Sequence, residues 1–282
     1  MEEKVTTTGL LQRKGRAKIV MLTATDEPTG RLVDRAGVDV VLVGDSLGMA
    51  VLGRPNTLSV TMEEMLHHTK AVAQGVRRAL LVVDMPFGSY QTAVADAVRN
   101  ACRLVAEGGA EAVKLEGPRL AEVRAIVAAG IPVMGHLGLT PQSLHLLGGY
   151  KVQGKTVAQA RELLRQAKAL EEAGVFALVL EGLPPSLGRA ITAAVGIPTI
   201  GIGAGPHCDG QVLVLADLLG LSPGPVPRFV RRYADLGAAI QQAVATFAAD
   251  VRSGAYPSAA ECYADLQELA EVLEQEGVQC WS

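Results

Sequence analysis

Val40-Val41-Leu42-Val43-Gly44-Asp45-Ser46-Leu47-Gly48 runs an apolar stretch straight into a glycine, a carboxylate and a hydroxyl. An uninterrupted apolar run bounded by turn residues marks a strand covered on both faces, as in parallel sheets. Ligands bind at the C-terminal ends of such strands, so Asp45 and Ser46 stand where chemistry is expected.

The rest of the chain repeats this plan outward from the opening stretch. Short apolar runs alternate with longer helix-patterned segments, which is the signature of strand-helix units around a parallel sheet. Eight candidate strands can be counted, at 19–23, 40–43, 80–83, 112–116, 131–136, 176–180, 197–202 and within 212–216. Between them, Asp26-Glu27-Pro28 suits a helix's first turn, and Thr61-Met62-Glu63-Glu64 is a capping-box pattern followed by Met65, Leu66, Thr69 and Val72 on one face. A helix over 92–107 is expected with Val94, Val98, Ala101 and Val105 inward, and another over 157–173. Gly37, Gly109, Gly130, Gly174 and Gly196 each precede a strand closely and read as helix stops. Eight parallel units in 282 residues point to a TIM (β/α)8 barrel rather than an open sheet. The expected division is an N-terminal arm over 1–17, the barrel over 18–221, and a C-terminal helical extension over 222–282 packed on the barrel or on a neighbouring subunit, with 279–282 loose.

Composition narrows the partners. With 49% hydrophobic residues the chain can build a large core, and a net charge of −3 with 20% charged residues leaves no basic stripe for nucleic acid or an anionic membrane. A small molecule fits better. Cys102, Cys208, Cys262 and Cys280 are scattered without the close pairs of zinc or dithiol sites, and the polar first residues are neither signal peptide nor anchor, so a reducing cytoplasm is expected.

Asp45, Asp84 and Glu116 follow or close the second, third and fourth strands. Neighbouring strands lie about 4.8 Å apart, so three carboxylates can converge on one ion. Oxygen ligands without His or Cys favour a hard cation, magnesium first. The plainer alternative is that each carboxylate caps a helix or pairs with a cation. Lys114 and Glu116 share one side of their strand by period two, and that side faces the ligand if it is the barrel interior. Lys114 then offers a cation for a substrate carboxylate or a developing enolate, a Schiff-base nucleophile, or simply an ion-pair partner. Glu181 ends the sixth strand, across the barrel from the metal candidates, where a general base or a carboxylate bonded to loop amides would stand. His136 is a candidate hydrogen-bond donor to substrate, or a satisfied structural histidine. His67 and His68 lie in a helix pattern as surface or interface residues, and Gly201-Ile202-Gly203-Ala204-Gly205 is better explained by close packing than as an anion loop.

With these residues assembled, the chain resembles the ketopantoate hydroxymethyltransferases from about Lys18 to Tyr256. Five blocks carry the resemblance: Val43-Gly44-Asp45-Ser46-Leu47-Gly48-Met49, Val113-Lys114-Leu115-Glu116-Gly117, the run from Gly135-His136 through Thr140-Pro141-Gln142-Ser143, Gly148-Gly149-Tyr150-Lys151-Val152-Gln153-Gly154, and the glycine run from Gly201. The resemblance implies a barrel of the phosphoenolpyruvate/pyruvate type, a magnesium ion, and transfer of a hydroxymethyl group from 5,10-methylenetetrahydrofolate to 3-methyl-2-oxobutanoate in pantothenate biosynthesis. It implies Asp45 and Asp84 as metal-binding, Glu116 as the third acidic residue there, Ser46 and Lys114 as substrate-binding, and Glu181 as proton acceptor. It also implies a ring-like homo-oligomer, commonly a decamer. Thr25 departs from the family, which commonly has Tyr there, and the loops Gly53-Arg54-Pro55-Asn56-Thr57 and Pro206-His207-Cys208 differ as well.

Overall fold

The protein is described by a computed structural model covering residues 3–222, 224, 227–264, 272–273 and 275–276. Eight strands, β1 (Ile19–Thr23), β2 (Val40–Val43), β3 (Leu80–Asp84), β4 (Ala112–Glu116), β5 (Val133–Gly138), β6 (Ala177–Glu181), β7 (Thr199–Ile202) and β8 (Gly210–Leu213), close into one barrel in sequence order. All neighbours are parallel, and β1 pairs with β8 to complete the ring. The helices follow in order: α1 (Thr7–Leu11), α2 (Glu27–Arg35), α3 (Leu47–Ala50), α4 (Met62–Gly75), α5 (Val94–Ala106), α6 (Leu120–Ala128), α7 (Leu144–Leu147), α8 (Val157–Ala173), α9 (Pro185–Ala194), α10 (Leu215–Leu218) and α11 (Leu236–Ser253).

Side-chain alternation sorts the strands into two apolar layers. Val40, Leu42, Leu80, Val82, Ala112, Met134, Ala177, Val179 and Ile200 fill the interior. Their neighbours Val41, Val43, Leu81, Val83, Val113, Leu115, Val133, Leu178 and Leu180 face outward into the helix layer. This is period two acting in a closed sheet, where both strand faces are buried and each run therefore reads as continuously apolar. The N-terminal residues belong to the inner layer: Thr6 caps α1, the Val5 amide donates to the Arg78 carbonyl at 2.8 Å, and Val5 and Leu10 pack with Ile19, Val40 and Leu80. The arm therefore plugs the barrel's N-terminal end.

Local signals in the sequence are realised at α2, where Asp26 and Thr29 form a capping box, and at α4, where Thr61 and Glu64 do the same with Met65, Leu66, Thr69 and Val72 buried. Other boundaries shift. β5 begins after Pro132 and β7 after Pro198, because proline has no amide for the ladder. β8 begins at Gly210, earlier than expected; a Cβ there would lie 2.4 Å from the Ile19 carbonyl oxygen, so only glycine lets the last strand approach the first. Residues after it turn into α10, whose Leu215 amide is taken up by Thr23 Oγ1 at 2.9 Å. In α5 the fully buried residues are Ala97, Ala101 and Leu104, with Val98 and Val105 half-buried against the core as expected, while Val94 is exposed. Gly196 does not cap α9, which ends at Ala194; its amide donates to Glu171 at 2.6 Å instead.

The chain divides into two compact units, one ending at Ala234 and one starting at Asp235. In the second, α11 is capped by Asp235 and ends at Gly254 in the left-handed conformation, with Ile240, Val244, Phe247 and Val251 exposed. Residues 279–282, expected to be loose, lie outside those described, as does Cys280. Among the described residues no helix is long and apolar enough to cross a membrane.

Candidate active site

The interior changes character at the C-terminal ends of the strands. Ladder register places Asp84 beside Lys114, Glu116 beside His136, and Gly138 beside Glu181. Asp45, Asp84, Lys114, Glu116 and His136 are each at most 5% exposed, and the Glu181 side chain is 16% exposed. Continuing the inward alternation of each strand past its apolar residues thus produces charged side chains at one end of the barrel, the functional face of this architecture.

The contacts form one connected network. Lys114 Nζ lies 2.8 Å from Asp84 Oδ1, outside hydrogen-bonding direction, and 3.3 Å from His136 Nδ1. Asp84 Oδ2 accepts the Asp45 amide at 3.1 Å. His136 links two strands, with Nδ1 3.5 Å from Glu116 Oε1 and Nε2 3.2 Å from Glu181 Oε2. Glu181 stands across the barrel from β2, as expected, yet a single imidazole joins it to Glu116. Asp45 does not cap α3 with its side chain; its Oδ2 accepts from Gln142 Nε2 at 2.9 Å. Ser46 also makes no cap bond and is only partly buried, which leaves its hydroxyl for other partners.

Electrostatics follow from crowding these charges out of water. Burial, then the like charges of Asp84 and Glu116, pushes the Asp45 carboxyl well above its ordinary range, against the pull of Lys114 and Gln142. Asp84 is raised by burial as well, even with Lys114 beside it. Burial acts the same way on Glu116, but His136, Lys114 and the Gln142 amide outweigh it and hold that carboxyl low. Burial opposes the Lys114 charge, yet Asp84, Glu116 and Asp45 raise its pKa overall. A lysine held as an ammonium is a poor nucleophile, which tells against the Schiff-base alternative. For His136, burial and Lys114 oppose protonation, while Glu116 and Glu181 lift it to about 9.

The carboxylates have the chemistry of a cation site without being a finished one. Among the described residues, no three His, Cys, Asp or Glu side chains already stand together as metal ligands. Asp45 and Asp84 nevertheless repel each other, and buried Asp84 Oδ1 has no aligned hydrogen bond. Four carboxylates, Asp45, Asp84, Glu116 and Glu181, face one ammonium and one imidazolium, a surplus of negative charge that a divalent ion would balance. Gly44 keeps the space beside them open, since a Cβ there would lie 3.0 Å from Ser46 Oγ and 3.4 Å from Asp84 Oδ2. The residues present therefore fit a hard cation.

Two polar residues of the site carry no signal of their own in the sequence. Tyr90 follows β3 and Gln142 follows β5, and they bond to each other at 2.6 Å, oxygen to oxygen. Tyr90 has no sequence mark beyond a place in a loop after a strand end, which many loop residues share, whereas Gln142 also falls in one of the blocks that carry the family resemblance. Tyr150 is a third: its hydroxyl lies 3.4 Å from Met49 Sδ, and burial together with Asp45, Glu181 and Glu116 raises its pKa, so the 148–154 loop reaches over the charged end. His68, half-buried, lies 2.6 Å from the Thr25 carbonyl, and His67 is exposed; neither joins the site. The glycine run from Gly201 is a packing device, because a Cβ at Gly203 would lie 2.6 Å from the Phe229 ring and one at Gly205 2.6 Å from Pro185.

Comparison with known proteins agrees with this geometry. Residues 4–259 match the family described as Ketopantoate hydroxymethyltransferase. The 3-methyl-2-oxobutanoate hydroxymethyltransferase of Koribacter versatilis is 54% identical over 96% of this chain and 93% of its own length. That of Ignicoccus hospitalis is 58% identical over 90% of this chain and 97% of its own. Among solved structures, a phosphonopyruvate hydrolase in complex with oxalate and Mg++ superposes with a TM-score of 0.59 at 16% identity, covering 96% of this chain and 94% of that one. A 2,3-dimethylmalate lyase of the PEP mutase/isocitrate lyase superfamily gives 0.57 at 16% identity, over 98% of each chain. These structural likenesses show the fold alone, a closed barrel of eight parallel strands, and the sequence relatives show more: the chain belongs to the ketopantoate hydroxymethyltransferase family of enzymes.

Proposed function

We propose that this protein transfers a hydroxymethyl group from 5,10-methylenetetrahydrofolate to 3-methyl-2-oxobutanoate, giving 2-dehydropantoate for pantothenate synthesis. The observation that carries the reading is the buried surplus of carboxylates around one ammonium at the functional end of the barrel, in a chain of this family. Asp45 and Asp84 would hold a magnesium ion directly. Glu116, whose oxygens already meet the Gln142 amide at 2.9 Å and His136 at 3.5 Å, would add charge beside it. When bound, such an ion supplies Lewis-acid polarisation of the 2-oxo acid, which acidifies the C3 proton.

The chain's own residues do the rest. Ser46, with no capping role, orients the substrate, and Lys114 balances the negative charge of its carboxylate and of the enolate. Glu181 takes the C3 proton. His136, 3.2 Å from Glu181, keeps that carboxylate in place and supplies a donor on the same side. The carbon freed of its proton then bonds to the one-carbon unit, whose two bonds to the folate nitrogens break; one water supplies the hydroxyl oxygen, and tetrahydrofolate leaves with the C3 proton and the remaining water proton on those nitrogens. Two further elements complete the reading: a homo-oligomer, supported by the exposed Ile240, Val244, Phe247 and Val251 of α11, and a reducing cytoplasm, suited to the free Cys102, Cys208 and Cys262.

The test is solvent deuterium exchange at C3 of 3-methyl-2-oxobutanoate, with magnesium and without folate. The wild-type chain should exchange, and Glu181→Gln should lose exchange by on the order of 10³-fold while still binding metal and oxo acid. Full exchange in that variant would remove Glu181 as the base. A barrel lyase or mutase acting on a different 2-oxo acid would show no magnesium-dependent exchange and no transfer to this substrate.

A further inference from the structure

Gln142 occupies a position in the network that none of the assigned roles explains. It is 6% exposed and lies in the 3₁₀ turn Pro141–Ser143. Proline at the start of that turn holds the backbone, and first-turn amides have no partner inside the helix. The Gln142 amide is therefore free to donate to Glu116 Oε2, which it does at 2.9 Å. Its side-chain Nε2 donates to Asp45 Oδ2 and to the Met85 carbonyl, both at 2.9 Å. Its Oε1 accepts from Tyr90 Oη at 2.6 Å and from Gln91 Nε2 at 3.0 Å. With two acceptors on the nitrogen and two donors on the oxygen, the amide has a single orientation. Tyr90 Oη in turn accepts the Glu116 amide at 3.1 Å, so Glu116 of β4 and Asp45 of the loop after β2 are both tied to one residue, the first through the Gln142 backbone and the second through its side chain.

We infer that Gln142 is a positioning residue that holds one oxygen of Asp45 so that the other is presented to a divalent cation, with Tyr90 locking the amide. The inference rests on the reading that Asp45 and Asp84 hold such an ion. A neutral donor suits this role, because an arginine or lysine would neutralise Asp45 and compete with the ion, whereas an amide orients the carboxylate and leaves its charge. Substituting the side chain leaves the backbone amide on Glu116, so the experiment removes the link to Asp45 while keeping the one to Glu116.

The experiment is titration of the full-length protein with Mn2+, followed by the electron paramagnetic resonance signal of the free ion, with thermal midpoints of the metal-free proteins alongside. Gln142→Met should weaken Mn2+ binding about tenfold, and Tyr90→Phe by a smaller factor. Transfer activity lost by Gln142→Met at low magnesium should return at high magnesium, a recovery that a purely structural defect would not give. If Gln142→Met does not fold, Gln142→Asn, one methylene too short to reach Asp45, takes its place with the same expectation. Wild-type Mn2+ affinity in the folded variant, with only the midpoint moved, overturns the positioning role and leaves the proposed function intact. Absence of Mn2+ binding by the wild-type protein overturns both.

Discussion

The two ends of the barrel are built from the same strands and the same inward positions, and they differ in everything else. At the N-terminal end the interior holds Ile19, Val40, Leu80 and Ala112, closed off by Val5 and Leu10 of the arm. A few residues further along, the inward positions are Asp84, Lys114, Glu116, His136 and Glu181. Val82 and Asp84 are one alternation apart on β3, as Ala112 and Lys114 are on β4. Apolar contacts at one end supply the stability that lets the other end keep several charges out of water. Burying that charged end is costly, and in the proposed function it is the end that the chemistry uses.

The largest effect that tests this contrast is expected from Asp45→Asn. An asparagine oxygen can still accept from Gln142, but one charge of the surplus is gone. Transfer activity should fall by on the order of 10³-fold. The metal-free protein should become more stable by about 1 kcal/mol, since the lost charge had no partner ammonium of its own. Urea unfolding with EDTA present checks the second part, and a destabilised variant would show that the charged end contributes to stability after all.

A middle-sized effect tests the other end. Leu10, 1% exposed, loses its packing against the barrel floor in Leu10→Ala, at a cost of about 3 kcal/mol in urea unfolding. Rate measurements on the folded variant at 25 °C should return the wild-type kcat, because Leu10 belongs to the inner apolar cluster with Ile19, Val40 and Leu80 rather than to the charged layer. A fall in kcat comparable with that of Asp45→Asn would break the division between the ends.

The smallest effect sharpens the boundary where loop meets barrel. Arg54, in the loop before α4, pairs with Glu64 of α4, and one of its bonds is 2.8 Å long. That hydrogen bond, helped by the Thr61 amide, lowers the Glu64 pKa from 4.5 to about 2. A depressed folded-state value means the stabilisation is complete above the ordinary pKa and disappears as the pH falls through the lowered one. The Arg54→Met variant should therefore melt about 2 °C below wild type at pH 7, with a much narrower gap at pH 2, where Glu64 is about half-protonated. An equal gap at both pH values would assign the loss to packing of the arginine stem instead.

The parts of the site that could be read before the fold was known share one property: they depend on strand alternation and strand ends. Lys114 and Glu116 face inward together because side chains of a strand alternate, and the closed sheet made that inward side the interior. Asp45, Asp84 and Glu181 were marked by ending apolar runs. Strand starts were less legible, as β8 illustrates, because its first residue is set by how closely Gly210 can approach Ile19. The arm at Val5 and Leu10 has no periodic pattern long enough to announce that it plugs the barrel.

By itself, then, the sequence determined the eight strands, the barrel they suggest and the charged residues at their tips, because apolar runs and period two are properties of a few consecutive residues. Only the tertiary structure decided what those tips touch. Gln142 reaches Asp45 across 97 positions of chain, and His136 joins Glu116 to Glu181 from a strand between theirs. Such contacts exist only once the barrel has closed and its loops have folded over the open end, and no local pattern encodes a distance through space.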